Sequence, residues 1–204
     1  MAMNVAGMIV DTNFLIYKTD KPHKRVKGDQ KKLQHNAYIR IANKIWEDFD
    51  KQNIRLYLPN EVIRETEVHE KVPSKYNPSQ ITKMHTIKDE LKERIVEGDY
   101  TLEREHRVRL LSAYLKKFGV RTPSGKIIHY PGVSDARLII TALDAGLGIA
   151  TGDVDDFLLF AVLGYTLFDV VNNQCITIPK EDLNKIKEDP FFIECEKIIK
   201  NNNV

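Results

Sequence analysis

Cysteine is scarce in this chain. Its two residues of this type, Cys175 and Cys195, stand in no paired or metal-ligand spacing. That excludes a disulfide framework and a cysteine-built zinc site, and it fits a reducing cytoplasm. Net charge is scarce as well: 31 basic residues nearly cancel 29 acidic ones, leaving +2, so charge has to be read locally. Long apolar runs are missing. The most apolar stretch, Phe157–Phe168, is about 12 residues, against the roughly 20 needed to span a bilayer. The first ten residues carry no charged n-region followed by an apolar core, so no signal peptide is expected. There is no internal repeat, and no low-complexity tract beyond Asn201–Asn203. What remains is a chain of 204 residues, 42% hydrophobic, long enough to bury a full core as one domain with an elaboration.

Residues 133–157 carry the densest pattern. Ser134 is a suitable N-cap, and Ala136, Leu138, Ile139, Ala142 and Leu143 follow at helical spacing. Gly146 and Gly148 end that helix, and Leu147–Ala150 reads as a short buried strand. Asp135 then stands in the first turn of a helix, and Asp153 just past a strand. In a parallel α/β sheet, helix N-termini and strand C-termini share the edge where ligands bind. Met8-Ile9-Val10 followed by Asp11-Thr12-Asn13 repeats the arrangement of a buried strand that stops at an acid. Asp11 alone reads as a helix cap; beside Asp135 and Asp153 it reads as a third carboxylate on one edge. Ile54–Leu58 is a further strand, and Pro59-Asn60 opens a helix carrying Glu61 and Glu65 on one face.

Several carboxylates on one edge have a chemical consequence. Two of them about 4 Å apart, at an effective dielectric near 20, repel by roughly 4 kcal/mol. Either some stay protonated at neutral pH or a hard divalent cation sits among them. An all-oxygen ligand set with no histidine or cysteine in position points to Mg²⁺ or Mn²⁺ rather than zinc. Such an ion suits hydrolysis of a phosphate ester, because it acidifies a water and neutralises developing charge.

The sequence resembles the PIN-domain family, which includes the VapC-type toxins of toxin–antitoxin pairs. The matching stretches are Ile9-Val10-Asp11-Thr12-Asn13, Val62-Ile63-Arg64-Glu65, Ser134-Asp135-Ala136, and Thr151-Gly152-Asp153-Val154-Asp155-Asp156-Phe157. They cover residues 1–67 and 131–180. The resemblance implies an α/β fold, a three-layer α/β/α sandwich with a central, mostly parallel sheet, and Mg²⁺- or Mn²⁺-dependent cleavage of RNA. It implies Asp11, Glu65, Asp135 and Asp153 as the catalytic and metal-binding acids, favouring Glu65 over Glu61 and Asp153 over Asp155 or Asp156. Asp156 then either assists the metal or caps the helix holding Phe157. Asn13 and Thr151, within the two strand-end motifs, are expected to meet substrate. An antitoxin partner and a homodimer are further expectations. The alternatives are a structure-specific DNA nuclease and a PIN-like module that binds RNA or protein without cutting.

Two segments lie outside those motifs. Residues 18–32 are the most basic stretch, and Pro22, Gly28 and the lack of apolar periodicity mark a loop. It is read either as solvated surface or as a phosphate-binding arm using Lys24, Arg25 and Lys27. Residues 68–130, which compact toxins of the family lack, read as a helical insertion: two charged helices at 80–97 and 101–118 form a hairpin laid on the main body. Lys83, Lys88, Lys92, Arg94, Arg104, Arg107 and Arg109 on it are expected to select substrate. His129 and Tyr130, just ahead of Asp135, are read chiefly as loop packing. The segment 33–50 is an amphipathic helix whose stripe is Tyr38, Ile41, Ala42, Ile45, Trp46 and Phe49.

Overall fold

A computed structural model describes residues 5–24, 28–98, 100–114, 120–121, 125, 127–128 and 131–200. The first strand, β1 (Gly7–Val10), is buried along its whole length. A four-residue apolar run with both faces covered is what a central parallel strand requires. It leads into α1 (Thr12–Thr19) and then α2 (Gln30–Lys51). Next come β2 (Arg55–Pro59), α3 (Asn60–Glu70) and α4 (Pro78–Glu90). A single 3₁₀ turn and a two-residue strand, β3 (Ile95–Val96), follow. Then α5 (Leu102–Arg109) runs into a π-helical turn at Leu110–Tyr114. Two short strands, β4 (Val120–Arg121) and β5 (Ile127–Ile128), pair antiparallel as a separate ribbon. The chain continues through α6 (Val133–Ala145), β6 (Gly148–Thr151), a 3₁₀ turn at Asp155–Phe157 and α7 (Leu158–Val162). It closes with β7 (Leu167–Asp169), β8 (Gln174–Cys175), α8 (Lys180–Lys187) and α9 (Pro190–Lys200).

The main sheet has the order β3-β2-β1-β6-β7-β8, parallel throughout except for the antiparallel β7–β8 pair. Steps from β1 to β2 and β2 to β3 run one way across the sheet, and the return to β6 and β7 runs the other way. Right-handed crossovers therefore put α1–α4 on one face and α5–α7 on the opposite face. The result is a three-layer α/β/α sandwich. Its main core joins Phe14, Ile45, Phe49 and Val62 through the sheet to Leu138, Ile139 and Phe160. A second core lies outside α6, where Ala136 and Ile140 meet Val108, Leu158, Phe192 and Ile199 from α5, α7 and α9. The apolar residues of α6 face both cores, Leu138 and Ile139 the sheet and Ala136 and Ile140 the outer helices, so the helix is buried on two sides. Gly146, at φ 65°, ends it in the left-handed conformation that glycine adopts without strain.

Four local readings change. Gly132, not Ser134, is the cap of α6, and no side chain caps it. Asp135 at the third helical position takes over, since the Gly132 amide favours its charged form. The stripe of α2 turns slightly: Ile39, Ala42, Ile45 and Phe49 are buried, while Tyr38 and Trp46 lie at the rim, with Lys18 5.5 Å from the indole centroid. In segment 68–130 the first helix ends at Glu90, short of the expected 97, while the second continues from α5 through the π-helical turn to Tyr114, and residues 115–118 of its expected span lie outside the described residues. Instead of turning from one into the other, the chain adds β3 to the sheet edge between them, in parallel register with Leu58 and Pro59. Arg104 and Arg107, expected to select substrate, are only 6% and 8% exposed. Arg104 donates to Thr141 at 2.6 Å and lies 3.8 Å from Asp144. Arg107 donates to Asp144 at 3.1 Å and to the Ile199 carbonyl at 2.9 Å. These side chains tie α5 to α6 and α9, and only Arg109 of the three stays exposed.

Removing the carboxylate that both buried arginines share strands two cations. Asp144→Asn should lower stability by about 2 kcal/mol, below the roughly 3–5 kcal/mol of a fully buried broken pair because Asp144 is itself partly exposed. Arg109→Ala should stay within about 0.5 kcal/mol. Urea unfolding midpoints measure both, and equal small changes would show that this cluster does not hold α5 in place.

Candidate active site

The parallel pairing of β1 with β6 sets Val10 opposite Ala150, and the Asp11 amide donates to the Ala150 carbonyl at 3.1 Å. The two strands therefore end level with each other, and the residues that follow them meet. Asp11 is 3% exposed. Its Oδ1 accepts from the Phe14 amide at 2.7 Å, which caps α1, and its Oδ2 accepts from the Thr151 hydroxyl at 2.5 Å. The cap reading and the acid-cluster reading of Asp11 are thus compatible. Thr151, fully buried, also accepts from the Asp153 amide at 2.9 Å, so one hydroxyl spans both strand ends.

Glu65 reaches the same edge from the second turn of α3, where its carboxylate accepts from the Thr12 hydroxyl. Glu61 is engaged elsewhere, 3.3 Å from Arg137 Nη1, and the same guanidinium binds Glu105 at 3.0 Å. Asp135 is half-buried in the first turn of α6, Asp156 half-buried in the 3₁₀ turn, and Asp153 exposed at the rim. Asn13 lies against Gly152, whose added Cβ would come 3.4 Å from the Asn13 Cβ and 2.8 Å from Tyr17 Cε2. The Thr-Gly-Asp turn passes so close to the Tyr17 ring that only glycine fits without a shift. Lys24 is exposed in the segment between α1 and α2. Arg25, Lys27, His129 and Tyr130 lie outside the described residues.

Burial first, and then the neighbouring acids, raise the proton affinity of this cluster. Burial pushes Asp11 up to about 7, partly offset by Thr151 and Phe14, with Asp135 and Asp153 adding to the rise. Burial also pushes Asp135 up to about 6, helped by Asp156, Glu65 and Asp153. Asp153 is raised by burial and by Asp156 and Asp155. Among the described residues, what offsets the burial of Asp11 is a hydroxyl and an amide, not a cation. Arg137, the nearby guanidinium on α6, is held by two glutamates. The donor chemistry, carboxylate oxygens alone, suits a hard divalent ion. As the side chains stand, no three His, Cys, Asp or Glu residues among the described ones are drawn together tightly enough to hold an ion. Repulsion between carboxylates favours that spacing until a cation offsets it.

Sequence reasoning did not single out Thr12 or Tyr17. The position of Tyr17, four residues after Asn13 on one helix, was the available signal, since such residues share a face. Tyr76 was missed as well: burial, with Glu65 and Glu70, pushes its phenol up to about 12.

The strained protonation has a measurable sign. The ordinary value for Asp11 is 3.8, and burial holds its proton to about 7 in the folded chain. Below pH 4 both states are protonated and nothing is lost. Between pH 4 and 7 the unfolded chain releases a proton that the folded one keeps, so stability falls as pH rises, by a total on the order of 4 kcal/mol above pH 7. In EDTA, Asp11→Asn should remove that loss, unfolding at higher urea than the parent at pH 8 and at similar urea at pH 4. Parallel urea midpoints across the pH range would contradict the buried-acid account.

No protein-family model matches the chain, and no curated protein matches it. Among solved structures it is similar to a chain in "Structure of FitAB bound to IR36 DNA fragment", with 15% identity and a TM-score of 0.53. The alignment covers 82% of this chain and 97% of that one. At this identity the likeness is one of fold. No helix among the described residues is long and apolar enough to cross a membrane. The architecture is a three-layer α/β/α sandwich with a mostly parallel sheet, and the acids lie at the C-terminal edge of its parallel strands.

Proposed function

We propose that the protein is a metal-dependent nuclease that hydrolyses RNA phosphodiester bonds at the edge formed by Asp11, Glu65, Asp135 and Asp153. The observation that carries the reading is the raised proton affinity of buried Asp11 and half-buried Asp135, caused by burial first and by the neighbouring acids next, with no basic side chain among the described residues compensating them. A folded protein that keeps such a cluster gains from a cation when one is bound. Asp11, Asp135 and Asp153 would hold Mg²⁺ or Mn²⁺, with Glu65 and Asp156 completing the acidic surround. Bound there, the ion would acidify a water and neutralise charge on the phosphate. The chain's own contribution is positional. Thr151 fixes Asp11 and the Asp153 backbone together, Thr12 orients Glu65, and Asn13 sits beside Gly152, where a phosphate would lie.

The PIN-like fold supports a nuclease reading by analogy alone, since a fold hosts many functions. A role as the toxin of a toxin–antitoxin pair, with a protein antitoxin as partner, belongs to the same proposal. The structural neighbour is described as bound to a DNA fragment, so DNA belongs in the test as a competing substrate.

Purified protein should cut single-stranded or looped RNA with Mg²⁺ or Mn²⁺, and lose cleavage in excess EDTA. Asp11→Asn and Asp153→Asn should each reduce the rate by at least a hundredfold, of the order seen when a catalytic electrostatic contact is removed, while thermal melts show folded protein. Cleavage that persists in EDTA would refute the metal. Cleavage of DNA and not RNA would move the substrate to the alternative, and binding with no cleavage of either would identify a non-cutting module.

A further inference from the structure

Outward from the acids on the α1–α2 side runs a line of rings that the catalytic reading does not use. Tyr17, packed over Gly152, comes first. Its ring centroid lies 5.5 Å from Tyr38 and 5.9 Å from His35, and His35 lies 5.3 Å from His23. None of the three contacts is a parallel stack: the interplanar angles are 56°, 68° and 47°. No two of these rings are thus already stacked face to face. Tyr17, His35 and Tyr38 are half-buried and His23 is exposed, so the line climbs from the acid edge to the surface.

The outer residues are also held, His35 and Tyr38 at the ring and His23 at its backbone. His35 Nε2 is 2.8 Å from Asp20 Oδ2, and the Tyr38 hydroxyl accepts from Gln34. Asn36 grips the His23 backbone at both ends, accepting from its amide at 2.7 Å and donating to its carbonyl at 3.0 Å. Such anchoring lowers the entropy lost when a ligand stacks on a ring. Lys21 and Lys24, both exposed, flank His23 and supply positive charge where the line reaches solvent. Core packing does not account for His23, and a purely phosphate-binding arm does not account for the aromatic rings. Flat rings interleaved with lysines, leading to a carboxylate edge, match the makeup of a single-strand binding path, in which bases stack and the backbone follows the charge.

We propose that Tyr17, Tyr38, His35 and His23 form a base-stacking path that leads an unpaired nucleic-acid strand to the acid edge. The path rests on the nuclease reading above, but it makes a separate claim: the bases, not only the phosphates, are bound. A duplex, whose bases are already stacked and paired, gains little from it.

Binding of the wild-type protein in EDTA separates the claims. The probes are a 12-nucleotide oligo(A), as RNA and as DNA, a duplex of the same length, and an abasic oligomer of the same length and charge. The RNA or DNA single strand should bind at least tenfold tighter than the abasic oligomer, and also tighter than the duplex. His23→Ala and Tyr38→Leu should each weaken single-strand binding about five- to tenfold, the loss of roughly one stacked base, and leave abasic binding nearly unchanged. Tyr38→Phe, which keeps the ring, should bind like the parent. Equal affinity for base-bearing and abasic oligomers would overturn the proposal. So would variants that weaken both alike, or a Phe variant as impaired as the Leu one. Thermal melts confirm folding, and His23, being exposed, offers a substitution that does not disturb the core. Hydrolysis of bis(4-nitrophenyl) phosphate with Mn²⁺ reports on the acids independently, because that diester has no bases. No hydrolysis with an intact base preference would remove the nuclease reading and keep the path; hydrolysis without base preference would do the reverse.

Discussion

One threonine hydroxyl connects the parts of this site. Thr151 donates to Asp11 at 2.5 Å and accepts from the Asp153 amide at 2.9 Å, and it can do so only because β1 and β6 end level in a parallel pair. The remaining acids arrive from the layers on either side: Glu65 from α3, Asp135 from α6, Asp156 from the turn after β6. A slip of one residue between β1 and β6 would reverse the facing of each strand residue. It would also separate Asp11 from Thr151. The buried runs Gly7–Val10 and Gly148–Thr151 therefore set the register of the chemistry as well as the core.

The positive charge around the site is distributed with the same economy. Arg137 stands on α6 two residues after Asp135, on a different face of the helix. Glu61 and Glu105 hold it there, and those contacts also raise its proton affinity. Arg104 and Arg107 are spent on Asp144, Thr141 and the Ile199 carbonyl. Arg104 and Arg107 of the insertion thus brace the helical layer, and among the described residues the acids keep their charge without a basic partner. The exposed lysines lie on the other side, beside His23 and the ring line.

The parts legible in the sequence were those fixed by local pattern. Val10-Asp11 and Ala150-Thr151 show as buried runs ending at polar residues, and Asp135 as an acid in a first helical turn, because each depends on neighbours within one turn or strand. The parts that were not legible depend on distant residues. β3 is two residues long and exists only by pairing with Leu58 and Pro59. The burial of Arg104 and Arg107 follows from the docking of α5 on α6, which the charge pattern of α5 alone reads as a solvated face. Ser134 has the chemistry of a cap, yet the helix begins one residue before it, and Asp135 reaches the Gly132 amide instead. Tyr38 fitted the apolar stripe of α2 by spacing, but the helix is rotated so that Ile39 faces the core and Tyr38 meets Tyr17.

The central claim is that these acids form a single cation site. Anomalous diffraction from crystals grown with Mn²⁺ tests it most directly. The account predicts a peak bounded by the carboxylates of Asp11, Asp135 and Asp153, with those side chains drawn together, and no peak at that position in crystals of Asp11→Asn. A Mn²⁺ peak elsewhere on the surface, with the three carboxylates still apart at saturating ion, would contradict it.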